Sequence, residues 1–184
     1  MIPEGLIYTN LFEIKIFKYT IPDWQTKKKV ILDLVNETGL TYNIGCETDF
    51  FTGKGRAPYF DKWYDLLKED FDKVLSTFGL PLDSPETWQI WTQTYRRGDY
   101  HSFHNHGTAN LSAILYLEFD PNEHQTTVFT SPYPDPFFGT LFDRIVPDVQ
   151  EGDIIFFPAM LGHQCVPQTS DKPRTVMSFN IPLT

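Results

Sequence analysis

The chain has 184 residues, 41% hydrophobic and 21% charged, proportions that suit one globular domain able to bury a core without disulfide or metal staples. A net charge of −9, with one basic run at Lys27-Lys28-Lys29, argues against a nucleic-acid footprint. With no apolar run near the roughly 18 residues of a membrane span and no signal-peptide pattern, a soluble cytoplasmic protein with Cys46 and Cys165 reduced is expected.

Aromatic residues make up 16% of the chain, and 14 Pro and 11 Gly supply frequent turn signals, so the composition leans towards short strands. Residues 6–19 (LIYTNLFEIKIFKY) alternate well enough for one or two strands. Pro22-Asp23 opens a helix with Trp24, Ile31, Leu34 and Val35 on one face and Gly39 past its end. The three lysines on this helix read as a solvated face. Residues 40–60 are rich in turn formers (Gly45, Gly53, Gly55, Pro58) and read as irregular. From Asp61, Trp63, Leu66, Leu67, Phe71, Val74, Leu75 and Phe78 recur at helical spacing until Gly79 and Pro81 stop the run.

After Pro85 the rhythm changes. Residues 87–95, 111–119, 125–130, 139–146, 153–157 and 175–181 are short apolar or alternating runs separated by Gly, Pro, Asp and Asn. Two helices followed by six or more strands predict a mainly β, α+β fold, with the helices packed on one face of a jelly roll or similar double sheet. Residues 1–184 read as one domain, 1–85 as helical support and 86–184 as the jelly-roll core.

Three of the five His crowd into GDYHSFHNHG as His101, His104 and His106, and a fourth, His163, follows DIIFFP. On an extended strand residues i and i+2 share a face, so His104 and His106 can aim at one point, with a third ligand from a strand distant in sequence. Imidazoles suit Fe, Zn, Cu or Ni, and clustered histidines also occur merely solvated or hydrogen-bonded. Neither Cys has a ligand-like spacing to the His, which disfavours structural zinc.

The order of the surrounding pieces carries more information. Gly-Asp-Tyr-x-x-x-His-x-His spans 98–106, Leu-Ser-x-x-x-Tyr-Leu spans 111–117, Phe-Pro-x-x-x-x-His spans 157–163 and Arg-x-x-x-Ser-Phe-Asn spans 174–180. In these motifs, in the Leu11-Phe12 opening and in the two helices, the chain resembles the 2-oxoglutarate/iron(II) dioxygenase superfamily, within it the prolyl-hydroxylase-like branch. The resemblance implies a double-stranded β-helix, with His104 and His163 as metal ligands and Arg174 as the basic residue pairing with the distal carboxylate of 2-oxoglutarate. Tyr116 matches the strand tyrosine that reaches the same carboxylate, and Tyr95 a pocket tyrosine; either could instead be a core aromatic, as strand tyrosines usually are. Asn180 and Ser178 share the face of Arg174 by even spacing and could hydrogen-bond co-substrate or substrate.

One position departs from the pattern. The superfamily places Asp or Glu two residues after the first ligand, and here His106 stands there. Either His106 completes an all-imidazole triad, the favoured reading, or an acidic residue such as Asp99, Glu118 or Asp135 enters from elsewhere. With neutral imidazoles the metal site would carry one negative charge fewer than the usual triad. His101 would orient a ligand, line the mouth or lie on the surface. Trp88 and Trp91 read as core or pocket wall, the loop 131–139 (SPYPDPFFG) as a candidate lid, and His124 as a turn residue.

The expected activity is oxidation coupled to decarboxylation of 2-oxoglutarate to succinate and CO2, with Fe(II) and O2 as the other participants. A protein side chain such as proline, or a small molecule, would be hydroxylated; nucleic acid and membrane partners are disfavoured. Two alternatives stand beside it: a cupin-like three-His enzyme with no use for Arg174, and a binding module on the same scaffold.

Overall fold

In the computed structural model, which describes residues 13–52, 56–107, 110–133 and 144–184, the elements follow one another as strands flanking two helices and then strands alone. They are β1 (Phe17–Thr20), α1 (Trp24–Thr38), β2 (Thr41–Asn43), β3 (Cys46–Thr48), α2 (Phe60–Leu75), β4 (Gln89–Tyr95) and β5 (His101–His104). Then come β6 (Asn110–Glu118), β7 (Thr127–Thr130), β8 (Arg144–Ile145), β9 (Asp153–Pro158), β10 (His163–Cys165) and β11 (Arg174–Pro182). Among the described residues they form a seven-stranded sheet ordered β1-β9-β6-β11-β4-β3-β2 and a four-stranded sheet ordered β5-β10-β7-β8, antiparallel throughout. The expected mainly β double sheet with helices on one face is what the chain adopts.

The central strands are buried along almost their whole length because both faces of the large sheet are covered. Side chains alternate between the two faces. Leu111, Ala113, Leu115, Leu117, Ile154, Phe156, Met177 and Phe179 join a cluster with Ile31, Trp63, Leu67 and Phe71 of the helices. Their neighbours Ile114, Tyr116, Ile155, Phe157 and Val176 join Phe129 and Cys165 of the smaller sheet. Trp63, fully buried, meets Phe71 at 5.1 Å and Phe179 at 5.3 Å between ring centres, so α2 is clamped to the sheet by aromatic contacts.

Several local expectations change. Residues 6–12 of the expected N-terminal strands lie outside the described residues, and the strand observed in the rest of that stretch is β1 alone. The stretch read as irregular holds the β2–β3 hairpin, whose loop residues Ile44 and Gly45 both have positive φ (50° and 87°), as a type I′ turn requires. The α2 helix ends at Leu75; beyond it Thr77 and Phe78 donate to the carbonyls of Val74 and Leu75 in tighter, three-residue turns. The lysine run is not simply solvated: Lys27 bonds Asp70 at 2.6 Å and Lys28 bonds Glu151 at 2.9 Å, tying α1 to α2 and to the turn before β9. Of the strand expected at 139–146, Arg144–Ile145 is observed, while 139–143, and residues 134–139 of the candidate lid, lie outside the described residues. No helix among the described residues is long and apolar enough to cross a membrane.

Candidate metal centre

The short strands β5 and β10 pair antiparallel with His163 opposite His104, which sets two imidazoles side by side on the smaller sheet. His106 lies just past the end of β5, where its backbone N–H donates to the Ala159 carbonyl at 2.8 Å and anchors the segment beside β9. Ring centres are 4.3 Å apart for His104–His163, 5.1 Å for His104–His106 and 5.2 Å for His106–His163. One ligand nitrogen from each residue lies within 4.8 Å of the others. Convergence therefore comes from strand pairing and a backbone anchor; the expected single extended strand through both His104 and His106 stops short of the second.

Local backbone sets the proton on two of the rings. His104 Nδ1 lies 2.7 Å from the Ser102 carbonyl and His163 Nδ1 lies 2.9 Å from the Leu161 carbonyl. A carbonyl can only accept, so each Nδ1 carries the proton and each Nε2 keeps a lone pair for a metal. Burial, reinforced by the neighbouring imidazoles, pushes His163 down to about 3 and His106 to about 4, and burial lowers His104 as well. All three are neutral at physiological pH, the state a metal ligand requires.

Two of the acidic alternatives lie elsewhere. Asp99 accepts from the Arg96 N–H and the Tyr42 hydroxyl, and Glu118 accepts from Thr175 Oγ1. Asp135 lies outside the described residues. Among the described residues, the group of side chains able to hold a metal is the three imidazoles. His101 stacks on His104 at 4.0 Å, with its Nδ1 3.0 Å from Gln93 Nε2, so it packs against the cluster. Cys46 and Cys165 are free and buried; burial pushes Cys46 up to about 12 and raises Cys165, so neither offers a thiolate.

Arg174 opens β11 and lines the same cleft as the histidines. It is 1% exposed, its Nη2 donates to Thr127 Oγ1 at 3.1 Å, and its Nε and Nη1 have no partner among the described residues. The guanidinium carbon lies 5.1 Å from the Tyr95 ring centre and 5.5 Å from that of Tyr116. A buried cation with two orphan donors is costly unless an anion arrives to take them. Imidazole lone pairs at one end and a guanidinium with two unpartnered nitrogens at the other fit a metal chelated by a molecule that carries a distal carboxylate.

Tyr95 lines the cleft, whereas the Tyr116 hydroxyl is engaged with Thr126 Oγ1 at 2.9 Å beside the guanidinium. Ser178 donates to Gln93 Oε1 at 3.1 Å, and Asn180 contacts Ser112, Gln89 and His106. Trp88 belongs to the helix-side core, while Trp91 stacks on His106 at 5.6 Å as a wall of the site. His124 follows the 121–123 turn and closes it, accepting from Asp120 N–H. Gln89, Gln93, Ser112 and Thr127 were not singled out from sequence. For the two glutamines the signal was present: they share one face of β4 with Trp91 and Tyr95, Gln93 buried and Gln89 exposed at the strand's start. A second pocket of about 310 Å3 opens beside His104 and His106, walled by Ile44, Phe50 and Trp91 with Asn105 at its edge.

A family model described as "Putative 2OG-Fe(II) oxygenase" matches residues 89–180, half of the chain, from β4 to the end of the site on β11. No curated protein matches the sequence significantly. Solved structures similar to this one include a Pseudomonas putida prolyl-4-hydroxylase, 13% identical, with a TM-score of 0.63 over 93% of this chain and 94% of that one. A viral collagen prolyl hydroxylase from Paramecium Bursaria Chlorella virus-1, in complex with 2-oxoglutarate, is 15% identical with a TM-score of 0.60 over 91% and 96%. HygX from Streptomyces hygroscopicus, with nickel, 2-oxoglutarate and hygromycin B bound, is 10% identical with a TM-score of 0.66 over 93% and 84%. At such identities the likeness establishes the double-stranded β-helix fold, and the family match adds the cofactors, Fe(II) and 2-oxoglutarate. The chain belongs to the 2OG-Fe(II) oxygenase family.

Proposed function

We propose that the protein is a 2-oxoglutarate-dependent hydroxylase in which His104, His106 and His163 hold Fe(II) through Nε2 and Arg174 grips the distal carboxylate of 2-oxoglutarate. The observation that carries this reading is the buried Arg174 guanidinium, with Nε and Nη1 unpartnered among the described residues, in one cleft with the imidazole cluster. When bound, iron and 2-oxoglutarate supply the oxidising power, O2 being consumed as 2-oxoglutarate becomes succinate and CO2 and the substrate gains a hydroxyl. A cupin-like three-His enzyme without this co-substrate would have no use for a buried, only partly satisfied cation in the cleft of the imidazoles.

The chain's own residues bind, orient and keep water out. Tyr95 packs its ring against the guanidinium, and Thr127 takes one of its donors, so the fork is held before the carboxylate arrives. Phe129 and Phe157 pack on His163 at 5.7 and 4.9 Å, which dries that flank of the site. The substrate, a protein side chain such as proline or a small molecule, would enter the pocket walled by Ile44, Phe50 and Trp91. The similar structures, two prolyl hydroxylases and a protein holding hygromycin B, support both kinds.

The test is an anaerobic titration of the Fe(II)-loaded protein with 2-oxoglutarate, followed by the visible charge-transfer absorption of a chelated 2-oxo acid. Wild type should show the band, Arg174→Ala should need far more 2-oxoglutarate to reach it, and His106→Ala should lose it. A band that survives in His106→Ala would mean another ligand, and no band in metal-loaded wild type would overturn the co-substrate.

A further inference from the structure

His106 differs from its two partners in what holds its ring. The Nδ1 atoms of His104 and His163 face backbone carbonyls of their own segments, which fix the proton. Among the described residues His106 Nδ1 faces no carbonyl; its polar neighbour is the side-chain amide of Asn180, 3.3 Å away on the central strand β11. Asn180 is 5% exposed and held on both sides, with Oδ1 accepting from Ser112 Oγ at 2.7 Å and Nδ2 donating to Gln89 Oε1 at 3.1 Å.

An imidazole offers a lone pair at one nitrogen only when the other holds the proton, so a neutral histidine must be in the right tautomer to bind a metal. An amide can meet the ring with either end, and the consequences are opposite. With Nδ2 towards the ring, Nδ1 accepts and the proton sits on Nε2, the nitrogen that faces His163 Nε2 at 3.4 Å. With Oδ1 towards the ring, Nδ1–H donates and Nε2 is free, as in His104 and His163. Ser112 and Gln89 accommodate the second setting, since a hydroxyl donates or accepts by rotating and the Gln89 amide can reverse in step. Trp91, stacked on the ring at an interplanar angle of 27°, fixes its plane but has no influence on its proton.

We propose that Asn180 is the positioning residue for His106: in the metal-holding form its Oδ1 accepts the His106 Nδ1–H, with Ser112 and Gln89 satisfying the rest of the amide in that setting. The proposal rests on the reading of His106 as a metal ligand. It gives Asn180 a task distinct from contact with co-substrate or substrate, because all of its polar atoms are already engaged within the protein.

Zn(II), which is diamagnetic, serves as the probe. Its affinity is measured by competition with a chelator for wild type, Asn180→Leu and Asn180→Asp, and long-range 1H–15N spectra of the imidazoles are recorded on the loaded proteins. Wild type should show His106 ligated at Nε2 with a protected Nδ1–H. Asn180→Leu, similar in size but unable to accept, should weaken Zn(II) about 10- to 100-fold and expose that proton to exchange. Asn180→Asp, which can accept, should retain affinity. If Asn180→Leu fails to fold, Asn180→Ser, too short to reach the ring, takes its place with the same expectation. Equal affinity in the Leu and wild-type proteins with His106 ligated, or equal loss in the Leu and Asp variants, overturns the role of Asn180 alone. A wild-type spectrum in which His106 is not a ligand overturns the triad, and this role with it.

Discussion

Arg174 reaches from β11 of the large sheet to β7 of the small one and donates from Nη2 to Thr127 Oγ1 at 3.1 Å. This bond joins the two sheets inside the cleft that also holds the imidazole cluster, and it uses one corner of a guanidinium whose Nε and Nη1 have no partner among the described residues. The fold thus carries a desolvated positive charge that is only partly satisfied, a state that costs stability unless an anion pairs with it.

The first prediction follows from that imbalance. Arg174→Met removes the buried charge and leaves an apolar chain of comparable length, so the ligand-free protein should melt no lower than wild type. The same change removes one partner of the proposed carboxylate pair, worth about 3–5 kcal/mol, so 2-oxoglutarate should bind about 100- to 5,000-fold more weakly. Thermal melts of the Mn(II)-loaded proteins with and without 2-oxoglutarate read both effects, since a ligand bound only by the native state raises the melting point. A variant that is destabilised yet still shifted by 2-oxoglutarate would mean that Arg174 is a structural cation.

The fold was legible where periodicity is long. The α2 helix and the strands β4, β6, β9 and β11 repeat their apolar positions over several residues, and a core forms wherever those faces meet. The pieces that were missed are short. β2, β3 and β10 have three residues each, and the hairpin loop begins with Ile44 where Asn or Asp would have advertised positive φ. His104 and His163 were visible as residue types in a motif, yet the histidine strands β5 and β10 have no apolar alternation to announce them. Thr127 was invisible because its partner, Arg174, lies 47 residues away, and that pairing exists only once the two sheets stack.

Gly45 links the missed hairpin to the metal centre. Its φ is +87°, and a Cβ there would lie 2.6 Å from the Tyr100 carbonyl oxygen, immediately before β5. Its own carbonyl accepts the Tyr100 N–H at 2.9 Å. Gly45→Ala should therefore lose about 2 kcal/mol or more, from left-handed backbone strain plus a clash with rigid backbone. Because the displaced segment leads into His101 and His104, metal affinity should fall along with stability. Urea unfolding together with a Zn(II) titration checks this; unchanged metal affinity would separate the hairpin from the site.

Asp70 is the knot under the helices. It accepts from the Tyr19 hydroxyl at 2.7 Å and from Lys27 Nζ at 2.6 Å, joining β1, α1 and α2 while only 5% exposed. Asp70→Ala strands a hydroxyl and a largely covered ammonium, and should cost about 2–3 kcal/mol in urea unfolding. Lys27→Met should cost less than about 1 kcal/mol, because Asp70 keeps Tyr19 and the lysine retains some access to water. Equal costs would indicate that the ion pair, not the carboxylate, holds this corner together.

Asp49 allows a test of pH dependence away from the metal ligands. Its carboxylate is 2% exposed and accepts from Thr92 N–H and from the Tyr59 hydroxyl, each at 2.7 Å. Burial raises its pKa above the ordinary carboxylate range, although these hydrogen bonds pull the other way. Between the unfolded value and the raised native value, the native protein holds a proton that the unfolded chain has released. Stability from this group therefore falls as pH rises through that window, by at most about 1.4 kcal/mol per pH unit, and is level above it. Asp49→Asn keeps every contact: Oδ1 accepts from Thr92, Nδ2 donates to Tyr59, and Tyr59 donates to Thr92 Oγ1, which lies 2.7 Å from it. The variant removes the titration, so its stability relative to wild type should improve from acid towards neutral pH. Urea midpoints of both proteins at two pH values either side of the window decide it; a difference that stays constant, or moves the other way, would mean that Asp49 does not titrate above the ordinary carboxylate range in the native protein.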